Sequence, residues 1–190
     1  MIIIALDFSQ AKTGICVMKC NKKKPKILHT ELDVTNTKIE GIERTKQTID
    51  KVRELYKDYD AKIVVKESAI IFRASTGLPV IKSHGALEYD MLLNAVPVDE
   101  VHNSTIKARA KRILEENKYS KEDIKKLNKK EIVAKAIEAY YNKDSSVKER
   151  IYTKRGKLID DVADAIMLGI VYSEKINSKK GWHTVRSLVL

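Results

Sequence analysis

Cysteine, glycine and long apolar runs are all scarce in this chain, and each scarcity removes a class of protein. Only Cys16 and Cys20 occur among 190 residues. They fall on what reads as one strand, four positions apart, which is beyond the reach of a disulfide. A reduced, intracellular protein of the cytoplasm is the expectation, and no Cys/His spacing of a zinc site is present. The seven glycines form no phosphate-cradling loop and no adenosine loop. That weighs against a phosphotransferase or ATPase of the actin and sugar-kinase type, although the first strand of that class also ends in an Asp near a Gly. No apolar stretch approaches the roughly 20 residues of a membrane helix, so no membrane partner is expected. The opening MIIIALDFS has no basic stretch and meets Asp7 early, which does not fit a signal peptide.

What the chain does have is positive charge. Lys and Arg number 37 against 26 Asp and Glu, and the excess is uneven. The first hundred residues hold 16 basic and 14 acidic groups, the last ninety 21 and 12, and residues 105–130 hold 10 and 4. An asymmetric basic surface points to a polyanion, nucleic acid first among them. Lys107, Arg109, Lys111 and Arg112 are spaced so that several share one helix face, a candidate phosphate track. At 43% hydrophobic residues the chain can build a core. It shows neither internal repeats nor a long linker, so residues 1–176 read as one domain and 177–190 as a tail.

The apolar run Ile2–Leu6, stopped by Asp7, reads as a central strand buried on both faces. Thr13–Cys20 and Lys26–Val34 follow across a Lys-rich turn closed by Pro25, giving an antiparallel meander. Helical periodicity runs from Ile39 to Tyr59 through Ile42, Ile49, Val52, Leu55 and Tyr56. Lys62–Lys66 reads as a buried strand ending at Glu67. Residues 76–81, with Gly77 and Pro79, read as a loop or helix entry. A helix over Ser83–Ala95 is expected to turn Leu87, Met91 and Leu92 inward, before a fifth strand over Val96–Val101. Helices are expected near 105–117, 120–127 and 129–142, a polar basic loop over Asn142–Lys157, and a last helix over Ile159–Ile176. The class is α/β with a mixed sheet.

Asp7 and Glu67 stand where buried strands stop, the place where chemistry collects in open α/β sheets. Asp160, Asp161 and Asp164 open the last helix, and residues three apart share a helix face, so Asp161 and Asp164 can reach one site. Asp160 reads as a helix cap. Asp164 has core-like neighbours, and a carboxylate facing a core needs a cation or a donor. Four converging carboxylates suit two Mg²⁺ ions about 4 Å apart, the clamp used in phosphodiester hydrolysis. Ser9 and Thr13 have no base beside them and read as turn residues.

In order and spacing, these motifs resemble the RuvC family of Holliday junction resolvases, within the ribonuclease H-like superfamily. The matching stretches are Ile3–Ser9 with Thr13-Gly14, Val64–Glu67, Lys82–Leu87 and Asp161–Ala165, spread over residues 1–172. The resemblance implies a five-stranded mixed sheet of order 3-2-1-4-5 flanked by helices. It implies a homodimeric endonuclease acting on four-way junctions and, more widely, branched DNA. Asp7, Glu67, Asp161 and Asp164 match the catalytic, metal-binding tetrad, with two Mg²⁺ ions per site and Mn²⁺ as a substitute. Lys130, rather than Lys129, matches a lysine near the scissile phosphate. Lys82 and His84 fall where a phosphate contact is expected, His84 having the alternative of holding its helix against a dimer partner. Asp7-Phe8-Ser9 departs from the bacterial Asp-Pro-Gly and looks more like phage-encoded resolvases. The aromatic wedge of the bacterial members is Ile70 here, with Phe72 two residues on. A non-catalytic module that binds branched nucleic acid is the competing reading.

Overall fold

The computed structural model describes residues 1–69 and 74–178. Ile70, Phe72 and Trp182 lie outside these, as does all of the tail beyond Ser178. Five strands form one sheet in the order β3-β2-β1-β4-β5. They are β1 (Ile2–Asp7), β2 (Lys12–Lys19), β3 (Lys26–Val34), β4 (Ile63–Glu67) and β5 (Val98–Val101). The first three pair antiparallel, while β1–β4 and β4–β5 are parallel. The mixed sheet and strand order expected from the sequence are therefore present.

Side-chain alternation along the strands sorts the helices into two layers. Ile3, Ala5, Ile63 and Val65 point to one face, packed with Ile113, Ile137 and Ile166. Those residues come from α3 (Asn103–Glu116), α5 (Lys129–Tyr140) and α7 (Asp160–Asn177), with α4 (Lys121–Lys126) and α6 (Ser145–Ile151) in the same layer. Ile4, Leu6, Ile15 and Val64 point the other way, onto Ile49, Val52 and Leu55 of α1 (Gly41–Asp58) and Leu87 and Met91 of α2 (Ala74–Leu93). Tyr172 of α7 is fully buried in this core.

Three expectations change and one narrows. Residues 76–81, a loop or a helix entry by sequence, are helical: Pro79 sits early in α2, where its ring removes a single backbone bond. That loss costs about 3 kcal/mol, and burying Leu87 and Met91 offsets it at roughly 1.5–3 kcal/mol each. Leu92 points outward at 74% exposure, as does Ile42 of α1. Part of the basic loop is helical: Asp144 caps α6 through the Ser146 amide, and Val147 and Ile151 bury one face. The rest of it is a small hairpin closed by a Tyr152–Leu158 bridge. Finally, Ile159, not Asp160, is the N-cap of α7.

Candidate active site

The register of the sheet assembles the site. Ile3 pairs with Ile63 and Leu6 with Lys66, so Asp7 and Glu67 end neighbouring parallel strands at one edge. Both carry odd numbers, and both therefore project toward the α7 layer. From that layer α7 presents Asp160, Asp161 and Asp164. Gly14 permits the approach: a Cβ there would lie 1.9 Å from the Asp161 carbonyl oxygen and 2.8 Å from the Val162 nitrogen. Only a residue without a side chain lets the start of α7 rest on β2 beside Asp7, with which Gly14 pairs.

The electrostatics follow from this crowding. Burial, then the charges of Asp164, Glu67, Asp161 and Asp160, pushes the Asp7 carboxyl up to about 8. Burial and the Glu67 and Asp160 charges push Asp164 up to about 7, against a smaller opposing pull from Lys107. Asp161 is raised as well, by burial and by Asp160, with Lys12 and Lys130 acting against it. Asp160 goes the other way, because its side chain is hydrogen-bonded to Lys130. The two neighbouring acids thus divide, Asp160 into an ion pair and Asp161 into the acidic site. Among the described residues no three His, Cys, Asp or Glu side chains form a ready-made metal-ligating group. The acids share a field without closing into a cage, since Asn103 holds Glu67 and Lys130 holds Asp160. Their donor set is all carboxylate oxygen, and the raised proton affinity of Asp7, Asp161 and Asp164 is the response expected of a group short of positive charge. A hard divalent ion fits both facts.

A cleft of about 250 Å³ opens beside Asp7 and Glu67, lined also by Phe8, Ser68, Val80, His84 and Asn103. Sequence reasoning missed Asn103; its amide donates to Glu67 from the first turn of α3. Its only signal was its place two residues after β5. His84 lies well inside α2, not at its entry, and is buried. Its Nε2 is 3.3 Å from the Phe8 carbonyl oxygen and its ring stands edge-on to Phe8 at 5.3 Å. Burial and the nearby Lys66 charge lower its pKa, which favours the neutral ring. It holds α2 against the end of β1.

The candidate phosphate contacts divide in the same way. Lys82, Lys107, Lys111, Arg112 and Lys130 are exposed. Arg109 turns inward, with its Nε 2.7 Å from Glu174 of α7 and its Nη1 3.0 Å from Glu116. It ties α3 to α7 and drops out of the phosphate track. Ser9 and Thr13 are turn residues as expected: the Thr13 hydroxyl donates to the Ser9 carbonyl at 2.8 Å.

The five-stranded mixed sheet of order 3-2-1-4-5, flanked by helices, is a ribonuclease H-like fold. Solved structures that it resembles include RuvC and another Holliday junction resolvase. Thermus thermophilus RuvC in complex with Holliday junction substrate matches with a TM-score of 0.65 at 16% identity, over 91% of this chain and 93% of that one. A second Thermus thermophilus RuvC structure gives 0.64 at 18%, with the same coverage of both chains. The yeast mitochondrial Holliday junction resolvase Ydc2 gives 0.60 at 11%, over 98% of this chain and 82% of that one. No protein-family model and no curated protein matches the sequence. The likeness is one of fold.

Proposed function

We propose that this chain is a structure-selective endodeoxyribonuclease that resolves four-way DNA junctions with divalent ions held by Asp7, Glu67, Asp161 and Asp164. The observation that carries this reading is the pair of half-buried carboxyls, Asp7 and Asp164, held near 8 and 7 by burial and by neighbouring acids at the ends of β1 and β4. A structural core has no use for such a gathering of acids; a site that takes up cations does. The bound ions, two Mg²⁺ with Mn²⁺ as a substitute, would activate water and stabilise the leaving 3′-oxygen. The chain's own residues do the rest. Asn103 fixes the orientation of Glu67, and Lys130 pairs with Asp160. Exposed Lys107, Lys111 and Arg112 on α3 offer phosphate contacts, with Lys82 on α2 as another. Other branched DNA falls within the same proposal.

A four-way junction presents two symmetry-related strands, so a twofold dimer gives each strand an active site. The core-facing side of α2 is used up by Leu87 and Met91, whereas Leu78, Ile81, Tyr89 and Leu92 form a stripe on its outer side. Gly85 lies within the stripe with no atom within 4 Å of where its Cβ would be, leaving room for close approach by a second helix. We assign the homodimer interface to this stripe.

The decisive experiment compares nicking of junction, fork, flap and linear duplex in Mg²⁺, for wild type and Asp7→Asn. Wild type should cut the junction in preference and Asp7→Asn should bind it without cutting, a loss of about 10²-fold or more. Cutting in excess chelator, or near wild-type cutting by Asp7→Asn, would sink the proposal. Binding without any cutting by wild type would favour the non-catalytic reading.

A further inference from the structure

The basic segment between α5 and α7 has no part in the site described above. Residues 142–157 hold six basic groups and two acidic ones. The structure turns its second half into a small, well-defined hairpin. The Thr153 amide donates to the Lys157 carbonyl and the Gly156 amide to the Thr153 carbonyl, both at 2.8 Å. The Lys157 amide donates to the Thr153 hydroxyl at 3.1 Å, and the Ile159 amide to the Ile151 carbonyl at 2.8 Å. Tyr152 anchors the base through a 2.9 Å hydrogen bond from its hydroxyl to Glu138 of α5. Gly156 makes the turn at φ +75°, a conformation that favours glycine.

This framework displays Lys154, Arg155 and Lys157 in solvent, and none of the three has an ion-pair partner among the described residues. Beside it a groove of about 700 Å³ runs along α6, lined by Ser145, Lys148, Glu149, Tyr152, Thr153 and Lys154. The hairpin leads straight into α7: Lys157 stands three positions before Asp160, a span of at most about 11 Å. Among the described residues the exposed large apolar side chains lie elsewhere, on α1, α2, the end of β3 and Met1. A hairpin tip of exposed cations without such a side chain fits a phosphate backbone better than a protein partner, whose interfaces have an apolar core.

We propose that the hairpin tip, Lys154, Arg155 and Lys157, is a second DNA-backbone contact. It grips a duplex arm beside the start of α7, on an element separate from α3. This rests on the nuclease reading, and it assigns to that site a clamp of two cationic elements in place of one track. A planar guanidinium on a turn held by four hydrogen bonds is suited to fixing a phosphate in position, since little ordering remains to be done on binding.

The test uses the full chain and a labelled immobile four-way junction, with Ca²⁺ in place of Mg²⁺. Affinity is measured between 50 and 200 mM salt. Each phosphate contact contributes about 0.9 to the log–log salt slope, so Lys154→Gln/Arg155→Gln/Lys157→Gln should flatten it by roughly 2 to 3. The charge-keeping set Lys154→Arg/Arg155→Lys/Lys157→Arg should retain the slope, with equal thermal melting in all three proteins. Lys22→Gln/Lys23→Gln/Lys26→Gln, at the opposite end of the sheet, should also leave it unchanged. A junction-binding wild type with the same slope in the hairpin triple variant overturns this inference alone. An equal loss in the distant triple variant also overturns it, since net charge would then explain the effect. A wild type that binds neither junction nor duplex overturns the nuclease reading and this inference together.

Discussion

The two helical layers of this protein are finished to different degrees. On one face of the sheet, α3 to α7 close over Ile3, Ala5 and Val65, and α7 presses on β2 so closely that only Gly14 fits beneath Asp161. On the other face α1 and α2 cover Ile4, Leu6 and Val64, yet α2 leaves Leu78, Ile81, Tyr89 and Leu92 in solvent. The closed layer carries charge where it touches the sheet edge; the open layer carries apolar surface where it touches nothing. Chemistry needs atoms fixed to fractions of an ångström, and the layer that supplies the α7 acids is the one with no freedom left. Assembly needs a surface that is stable alone and better covered, and the other layer supplies that.

Changes that break the closed layer should have the largest consequences. Gly14→Ala drives a methyl into the Asp161 carbonyl, so α7 must move. Overpacking of this kind costs about 1–3 kcal/mol, and nicking should fall by at least as much as in Asp7→Asn. Thermal melting and a junction-cleavage assay read the two effects; a well-folded, active Gly14→Ala would contradict the packing argument. The open layer should behave in the opposite way. Leu92→Asp, at a site 74% exposed, should leave the fold intact and convert dimer to monomer at micromolar concentration, with paired cutting of the junction lost. Sedimentation checks the mass, and an unchanged dimer would move the interface elsewhere.

A third measurement uses pH. Asp7 ionises near 3.8 in an unfolded chain and near 8 in the folded one. Between those values the unfolded chain sheds a proton that the folded chain keeps, so this group makes stability fall as pH rises, levelling off above about 8. Chelated protein should therefore melt lower at pH 8 than at pH 6, by on the order of 5 °C, and Asp7→Asn should flatten that dependence. Mg²⁺ should recover more stability at pH 8 than at pH 6. The smallest effect is expected of Asp160→Asn. With Asp160 paired to Lys130, most nicking activity should survive, and a loss as severe as that of Asp7→Asn would place Asp160 in the site after all.

The features legible in the sequence were those in which a local pattern and the tertiary environment agree. β1 and β4 are almost wholly apolar because both of their faces are covered, and their terminal acids stand out for that reason. The face-sharing of Asp161 and Asp164 follows from helical spacing alone. What stayed hidden depended on partners distant in the chain. Arg109 reads as a phosphate contact until Glu174, 65 residues away, is seen to hold it. Asp160 reads as a cap until Lys130, 30 residues away, takes it. Asn103 has no motif, only a position. α6 escaped because two apolar residues, Val147 and Ile151, are too few to show a period.

Lys66 and Glu67 are consecutive in β4 and serve opposite sides of the sheet. The Lys66 ammonium is buried under α2, 2.9 Å from Glu88 and 3.3 Å from Glu100, while Glu67 joins the acids across the sheet. A strand that paired one residue out of step would exchange them. The acidic site would receive an ammonium that neutralises it, and Glu88 and Glu100 would face a third carboxylate in place of their cation. Both errors are costly, and they arise from the same slip. The pair therefore serves as an alignment mark for the register of β4, since either neighbour in the wrong place is penalised.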